Sequence, residues 1–255
     1  MYKLKNSVII LILVMLIIGS CKKSKKDISF TEKEYQAMGM PDHKKLWASE
    51  AYIQALTTLS NIRLNNPLSF PRKHSKKSGA VFNNFVNKEN LSFLNDTNLS
   101  LSDKAHMIKY FPGFIKDLTR MYTDELRTEQ YYDEELIETY IFGLFINEKM
   151  LELAGKIMNS TEETNINVQS GLQAVLYGYL NLIVKILEEQ VKSNVYKAKD
   201  LDRLSMEVSH SLIKNMEWIK PVDRQAISIH IQNTIEKSSS GYIKSNYQKA
   251  LQELN

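Results

Sequence analysis

From Lys44 onward the apolar residues of this chain recur at spacings of three and four. No stretch alternates apolar and polar residues between turn signals, as a half-buried strand would. The pattern predicts an all-α fold, an irregular multi-helix bundle, and stacked helix hairpins would satisfy it equally. Lys44 to Leu64 places Tyr52, Ala55, Leu56, Leu59 and Ile62 on one side. It must stop before Asn65-Asn66-Pro67, because the residue preceding a proline is pushed out of helical geometry. Pro67 to Gly79 reads as a loop, and Ser78 as the cap of a short helix that ends near Val86 and turns Val81, Phe82 and Phe85 inward. Asn87 to Ser100, rich in Asn and Ser, reads as irregular with Leu91, Phe93 and Leu94 tucked in. Ser102 is placed to cap a helix reaching Tyr110, and Pro112-Gly113 to break the chain before a helix from Phe114 to about Thr128.

Two longer segments follow. Asp133 to Asn159 carries Leu136, Tyr140, Leu144, Leu151 and Ile157 in a broad stripe, and Val168 to about Val191 does the same with Leu172, Leu176, Tyr179, Ile183 and Leu187. Asn167, Gln169, Gln173, Asn181 and Lys185 interrupt the second, which predicts a core helix and not a membrane span. Gly171 and Gly178, seven apart on it, each cost up to about 1 kcal/mol of helix propensity relative to Ala, so a close neighbour or a kink is the expected compensation. Asp200 to about Ile219, Asp223 to Lys237 and Gly241 to Leu254 complete the chain. The short breaks between them predict a compact up-and-down array.

The amino terminus is of another kind. Met1-Tyr2-Lys3-Leu4-Lys5 is basic, Val8 to Ile18 is unbroken apolar sequence, and the small residues Gly19-Ser20 precede Cys21, the only cysteine in the chain. Basic, apolar and small in that order make a secretory signal peptide, and the run is too short to span a bilayer as a helix. Ile18-Gly19-Ser20-Cys21 resembles the lipobox of bacterial lipoproteins. The resemblance implies that diacylglycerol is attached to Cys21, that the peptide is cut before it, and that the new amine is acylated. It covers only the start of the chain, and no family resemblance is evident for residues 22–255. The expected organisation is therefore a signal peptide over 1–20, a lipid-anchored tether and short amino-terminal segment over 21–43, and a single helical domain over 44–255. With its thiol lipidated, the chain has no disulfide to form. In Gram-negative lipoproteins aspartate after the cysteine favours inner-membrane retention. Lys22 thus points to the outer membrane, with the domain facing the periplasm.

Cleavage removes Lys3 and Lys5 from 33 basic residues, against 29 acidic, and leaves a charge of +2. So nearly neutral a domain lacks the concentrated basic face of a nucleic-acid binder. Glu207 and His210, at i and i+3, form half of a di-iron motif that would have to occur twice, and it occurs once. His43, His74, His106 and His230 have no glutamate at that spacing. Glu134 with Glu138, and Glu148 with Glu152, sit one turn apart, where carboxylates can share a proton or simply face solvent. No phosphate loop, zinc-protease motif, nucleophile elbow or CxxC is present. Arg72, Lys73, Lys76 and Lys77, around His74 and Ser75, make the densest basic cluster of the mature domain, a candidate contact for an anion or an acidic partner if it is more than a solvated loop. Tyr131-Tyr132 is a candidate aromatic contact.

These features call for no metal and no cofactor, and they lead to a membrane-anchored helical lipoprotein acting as a non-enzymatic protein-binding, accessory or immunity-type factor of the cell envelope. The alternative is a periplasmic lipid or small-molecule binding module with its pocket between the long helices, near Tyr140, Leu144, Leu176 and Tyr179. An enzyme would need His210 or His230 to meet several carboxylates in a cleft. The anchor has the most direct test. Cys21→Ser should leave the precursor unprocessed and unlabelled by radioactive fatty acid, and labelling that persists would remove the lipoprotein reading.

Overall fold

The computed structural model describes residues 27–123, 132–160, 166–191 and 196–254. Cys21, its preceding apolar run, Lys22–Lys26, Tyr131 and residues 124–128 of the helix expected to reach Thr128 lie outside them. Thr31 opens the first helix, α1 (Glu32–Ala37): its hydroxyl accepts the Glu34 N–H while the Glu34 carboxylate accepts the Thr31 N–H at 2.6 Å. Tyr35 on α1 is fully buried and donates its hydroxyl to Ser69 O, so this part of the short amino-terminal segment is packed on the domain. Gly39, at φ +100°, then turns the chain through the left-handed region where a Cβ would be strained. Helix α2 (Ser49–Asn65) begins later than the apolar pattern predicts, because Trp47 is held out of it. Its backbone N–H is accepted by Asn90 Oδ1 at 2.8 Å and its indole N–H by Asp42 O at 3.1 Å.

Helix α3 (Gly79–Phe85) follows Ser78, whose hydroxyl does not cap it but accepts the Arg72 N–H at 3.1 Å. Lys88–Asn95 is a 3₁₀ turn with Leu91 buried. Ser100, and not Ser102, caps α4 (Leu101–Ile108), because Asp103 completes a reciprocal capping box with it. Helix α5 (Phe111–Thr123) includes Pro112 and Gly113; the proline stands in the first turn, where a missing N–H costs no helical bond. The break falls at Lys109–Tyr110. Then come α6 (Asp133–Asn159), α7 (Ile166–Val191), α8 (Ala198–Lys214), a 3₁₀ turn at Met216–Trp218, α9 (Pro221–Lys237) and α10 (Gly241–Leu254). Among the described residues there is no strand, and no helix is long and apolar enough to cross a membrane.

The central element is α6, which packs against α4, α5, α7 and α8. Helix α7 continues the contact to α9, α9 to α10, and α10 back to α8, so five helices close a ring. Tyr179, Ile186, Leu212, Ile231 and Tyr247 are all fully buried. This corrects the expected up-and-down order, since α7 pairs with α9 and α8 with α10. The reason lies in the turn after α8. Trp218 seats on Gly155 of α6, where a Cβ would stand 2.9 Å from the indole, and Arg224 clamps the turn through Ile219 O and Met216 O at 2.9 Å each. The chain is thereby fastened to α6 before α9 begins.

A second close approach fixes the middle of α6. A Cβ on Gly143 would lie 3.0 Å from Ile115 Cγ2 on α5 and 3.1 Å from Leu182 Cδ2 on α7. At Gly113, in contrast, a Cβ would meet nothing within 4 Å. Gly143→Ala should therefore lower stability by about 1–3 kcal/mol through overpacking, although alanine is the better helix former. Gly113→Ala should be neutral or stabilising by up to about 1 kcal/mol. Urea unfolding of the two variants measures the difference.

Candidate functional site

One turn beyond Gly143 the helices separate. Between α4, the second half of α6 and the first half of α7 lies a groove of about 820 Å³, within the range of roughly 300–1,000 Å³ usual for ligand pockets. Asn147, Met150, Ala154 and Ile157 of α6 line it at helical spacing, with Leu101, Ala105 and Ile108 from α4 and Leu172 and Val175 from α7. Gly171, Ala174 and Gly178 form the α7 side. Within the described residues the glycines admit no close neighbour of the kind expected. Among the described residues nothing comes within 4 Å of a Cβ on Gly171, and one on Gly178 would meet only Asn147 Oδ1, at 4.0 Å. They border space that the described residues leave open.

Asn147 is the polar feature of the groove, and it is 5% exposed. Its Nδ2 donates to Gly143 O at 2.8 Å, and because a carbonyl only accepts, the amide orientation is chemically determined. Ser100, Ser102, Lys109 and Ser160 are the other polar residues of the lining. Lys109 is turned along its own segment, with Nζ 3.0 Å from His106 Nδ1 and 4.9 Å from the Tyr110 ring centroid. No motif marks Asn147. Its only signal in the sequence is an amide within the apolar stripe between Leu144 and Leu151. Tyr140, Leu144, Leu176 and Tyr179, around which a pocket was expected, are all buried, with the Tyr179 hydroxyl 2.9 Å from Ser211 Oγ, and they do not line this groove.

The basic cluster divides in two. Residues 69–73 are a fastened strap. Tyr35 donates to Ser69 O, Tyr132 accepts the Phe70 N–H at 3.0 Å, Tyr122 donates to Pro71 O at 2.9 Å, and Glu135 Oε1 accepts the Lys73 N–H at 2.6 Å. The Arg72 guanidinium lies 4.8 Å over the Tyr132 ring, and Lys73 Nζ pairs with Glu138. Of the four basic residues singled out as a candidate contact, Lys76 and Lys77 are exposed, while Arg72 and Lys73 are half-buried and engaged with Tyr132 and Glu138. The paired carboxylates of α6 are likewise ties between elements. Glu138 also takes Arg203, Glu134 takes Lys197 and His74, and Lys214 bridges Glu148 and Glu152 at 2.9 and 3.0 Å. The hydrogen bond from Lys197 holds Glu134 below the usual carboxylate range. Burial alone would raise Glu138, but Arg203 and Lys73 outweigh it and keep the group ionised. His210 is exposed beside Glu207, and among the described residues no three His, Cys, Asp or Glu side chains are placed to hold a metal ion.

The chain matches no protein-family model, and no curated protein or solved structure is significantly similar to it. Function therefore has to be read from the groove and its surroundings.

Glu135 supplies a measurable tension beside the strap. It is 5% exposed, and burial pushes its carboxyl from an ordinary 4.5 up to about 7, against the opposing Lys73 N–H and Arg72 and with the help of the neighbouring Glu134. The folded state thus holds this proton more tightly than the unfolded chain. The associated stability is complete below pH 4.5 and is lost as pH rises through about 7, a change of roughly 3 kcal/mol. Glu135→Gln keeps the acceptor for Lys73 and should flatten that slope and leave the variant more stable than wild type in alkaline buffer. Denaturant titrations of both proteins across this pH window give the difference, and identical slopes would contradict the assignment.

Proposed function

We propose that the chain is a lipid-anchored, non-enzymatic binding module of the cell envelope that takes up an apolar small molecule or lipid between α4, α6 and α7. The observation that carries this reading is the groove of about 820 Å³, walled by aliphatic side chains and kept open by Gly171 and Gly178. Two helix-destabilising residues at a spacing of seven, neither closely approached by any described residue, are accounted for when the space beside them has an occupant. The resemblance around Cys21 supports attachment to a membrane, and Lys22 supports the outer membrane with the domain on its periplasmic side. One buried amide among apolar walls provides a means of binding rather than an acid and a base.

The second reading, a protein-binding accessory factor, draws its support from Val222 and Ile229, 68% and 66% exposed and seven apart on one face of α9. The two readings separate on one preparation. Protein purified from its own membranes and extracted with organic solvent should yield about one apolar molecule per chain beyond the lipid on Cys21. The variant Gly171→Leu/Gly178→Leu, which fills the groove, should yield none. Its melting temperature should be equal or higher, because leucine replaces two glycines in a helix. Equal yields from both proteins would exclude the groove as the binding site.

A further inference from the structure

Resting on that reading, the geometry points to the occupant's class: a free fatty acid, whose carboxylate pairs with Lys109 while its chain lies between α4 and α6. Of the described residues that line the groove, Lys109 alone is charged. It is exposed, and among the described residues no carboxylate stands within ion-pair distance of it. Its near contacts are His106 Nδ1 and the face of the Tyr110 ring. An ammonium group has three N–H donors, and these contacts engage at most one in a directed hydrogen bond, so donors remain for an incoming acceptor. Asp103, the one acidic residue of α4, is committed to its capping box, where it accepts the Ser100 hydroxyl at 2.6 Å.

The walls suit one alkyl chain. Leu101, Ala105 and Ile108 make an apolar row along α4, and Met150, Ala154 and Ile157 make a second along α6. From Leu101 to Lys109 the backbone rises roughly 12 Å, at 1.5 Å per residue, and Lys109 follows the last residue of the row. The cation therefore stands at one end of the apolar surface of α4, as a head group stands at one end of its chain. A peptide laid along the same rows would have to bury backbone N–H and C=O groups against aliphatic side chains that offer them no partner. An alcohol of equal chain length would gain the same apolar burial but no ion pair, and a cationic head would be repelled.

The test uses the full lipidated chain in vesicles of zwitterionic phospholipid. Two photoreactive probes share one alkyl chain, a carboxylic acid held ionised in alkaline buffer and the matching primary alcohol. Peptide mapping after irradiation should place both on groove residues of α4, α6 and α7. Per vesicle-bound probe the acid should be favoured about three- to fivefold, the worth of a partly exposed ion pair, and the preference should shrink as salt is raised. Lys109→Gln should bring the ratio to about one or below, and Lys109→Arg should retain the preference. Because the side chain is exposed, both variants should melt with wild type. Equal labelling of wild type by acid and alcohol, or a preference that survives in Lys109→Gln, overturns the carboxylate assignment and leaves groove binding intact. Labelling confined to residues outside the groove, or undiminished in Gly171→Leu/Gly178→Leu, overturns groove binding itself.

Discussion

The contact at Gly143 governs the arrangement of this domain. With only a hydrogen at that position, Ile115 of α5 and Leu182 of α7 close on the α6 backbone, within about 3 Å of where a Cβ would stand. Two helices that cross cannot remain close along their whole length, so tight contact at one point requires separation elsewhere. Beyond Asn147 the α7 positions along the groove alternate between Leu172 and Val175 and the small residues Gly171, Ala174 and Gly178, which leave part of the separation of α6 and α7 open. The groove is thus the complement of the contact, both made by glycines, one buried to admit neighbours and two bordering open space.

Helix α6 also carries the charge that positions its surroundings. Its four paired glutamates reach to Lys73, His74, Lys197, Arg203 and Lys214, on the strap, the start of α8 and α8 itself. Exposed pairs of this kind contribute little each, about 0–1 kcal/mol, but Glu138 is largely buried and takes two cations at once. The strap itself is held by three tyrosine hydroxyls and Glu135, whose desolvation works against the fold in alkaline solution. The first part of a basic hexapeptide with the composition of a solvated loop, Arg72-Lys73, is in this way fastened beside α6.

The helical segments were legible in the sequence because their signal is local. Asp133–Asn159 and Gly241–Leu254 have the limits that apolar periodicity and breaker residues assign to them. Boundaries moved where a long-range bond competed: Trp47 is drawn away from α2 by Asn90, and Ser78 from its capping role by Arg72. The glycines of α7 were legible as anomalies but not in their consequence, because a missing side chain equally signals a close neighbour or an opening. Asn147 carried less warning still, since a lone amide on an apolar stripe does not say whether the space beside it is filled.

By itself the sequence determined the all-α class, the near-neutral charge of the domain and the lipobox-like segment at Cys21. Each of these is written in neighbouring residues, as periodicity, composition or a short linear pattern. Only the tertiary structure decided that α7 lies beside α9, that Arg72 and Lys73 engage Tyr132 and Glu138, and that a groove opens beside Asn147. Those outcomes depend on which surfaces meet across dozens of residues. Whether a helix face is filled or left open is settled by the distance to its neighbour, a quantity no local spacing encodes.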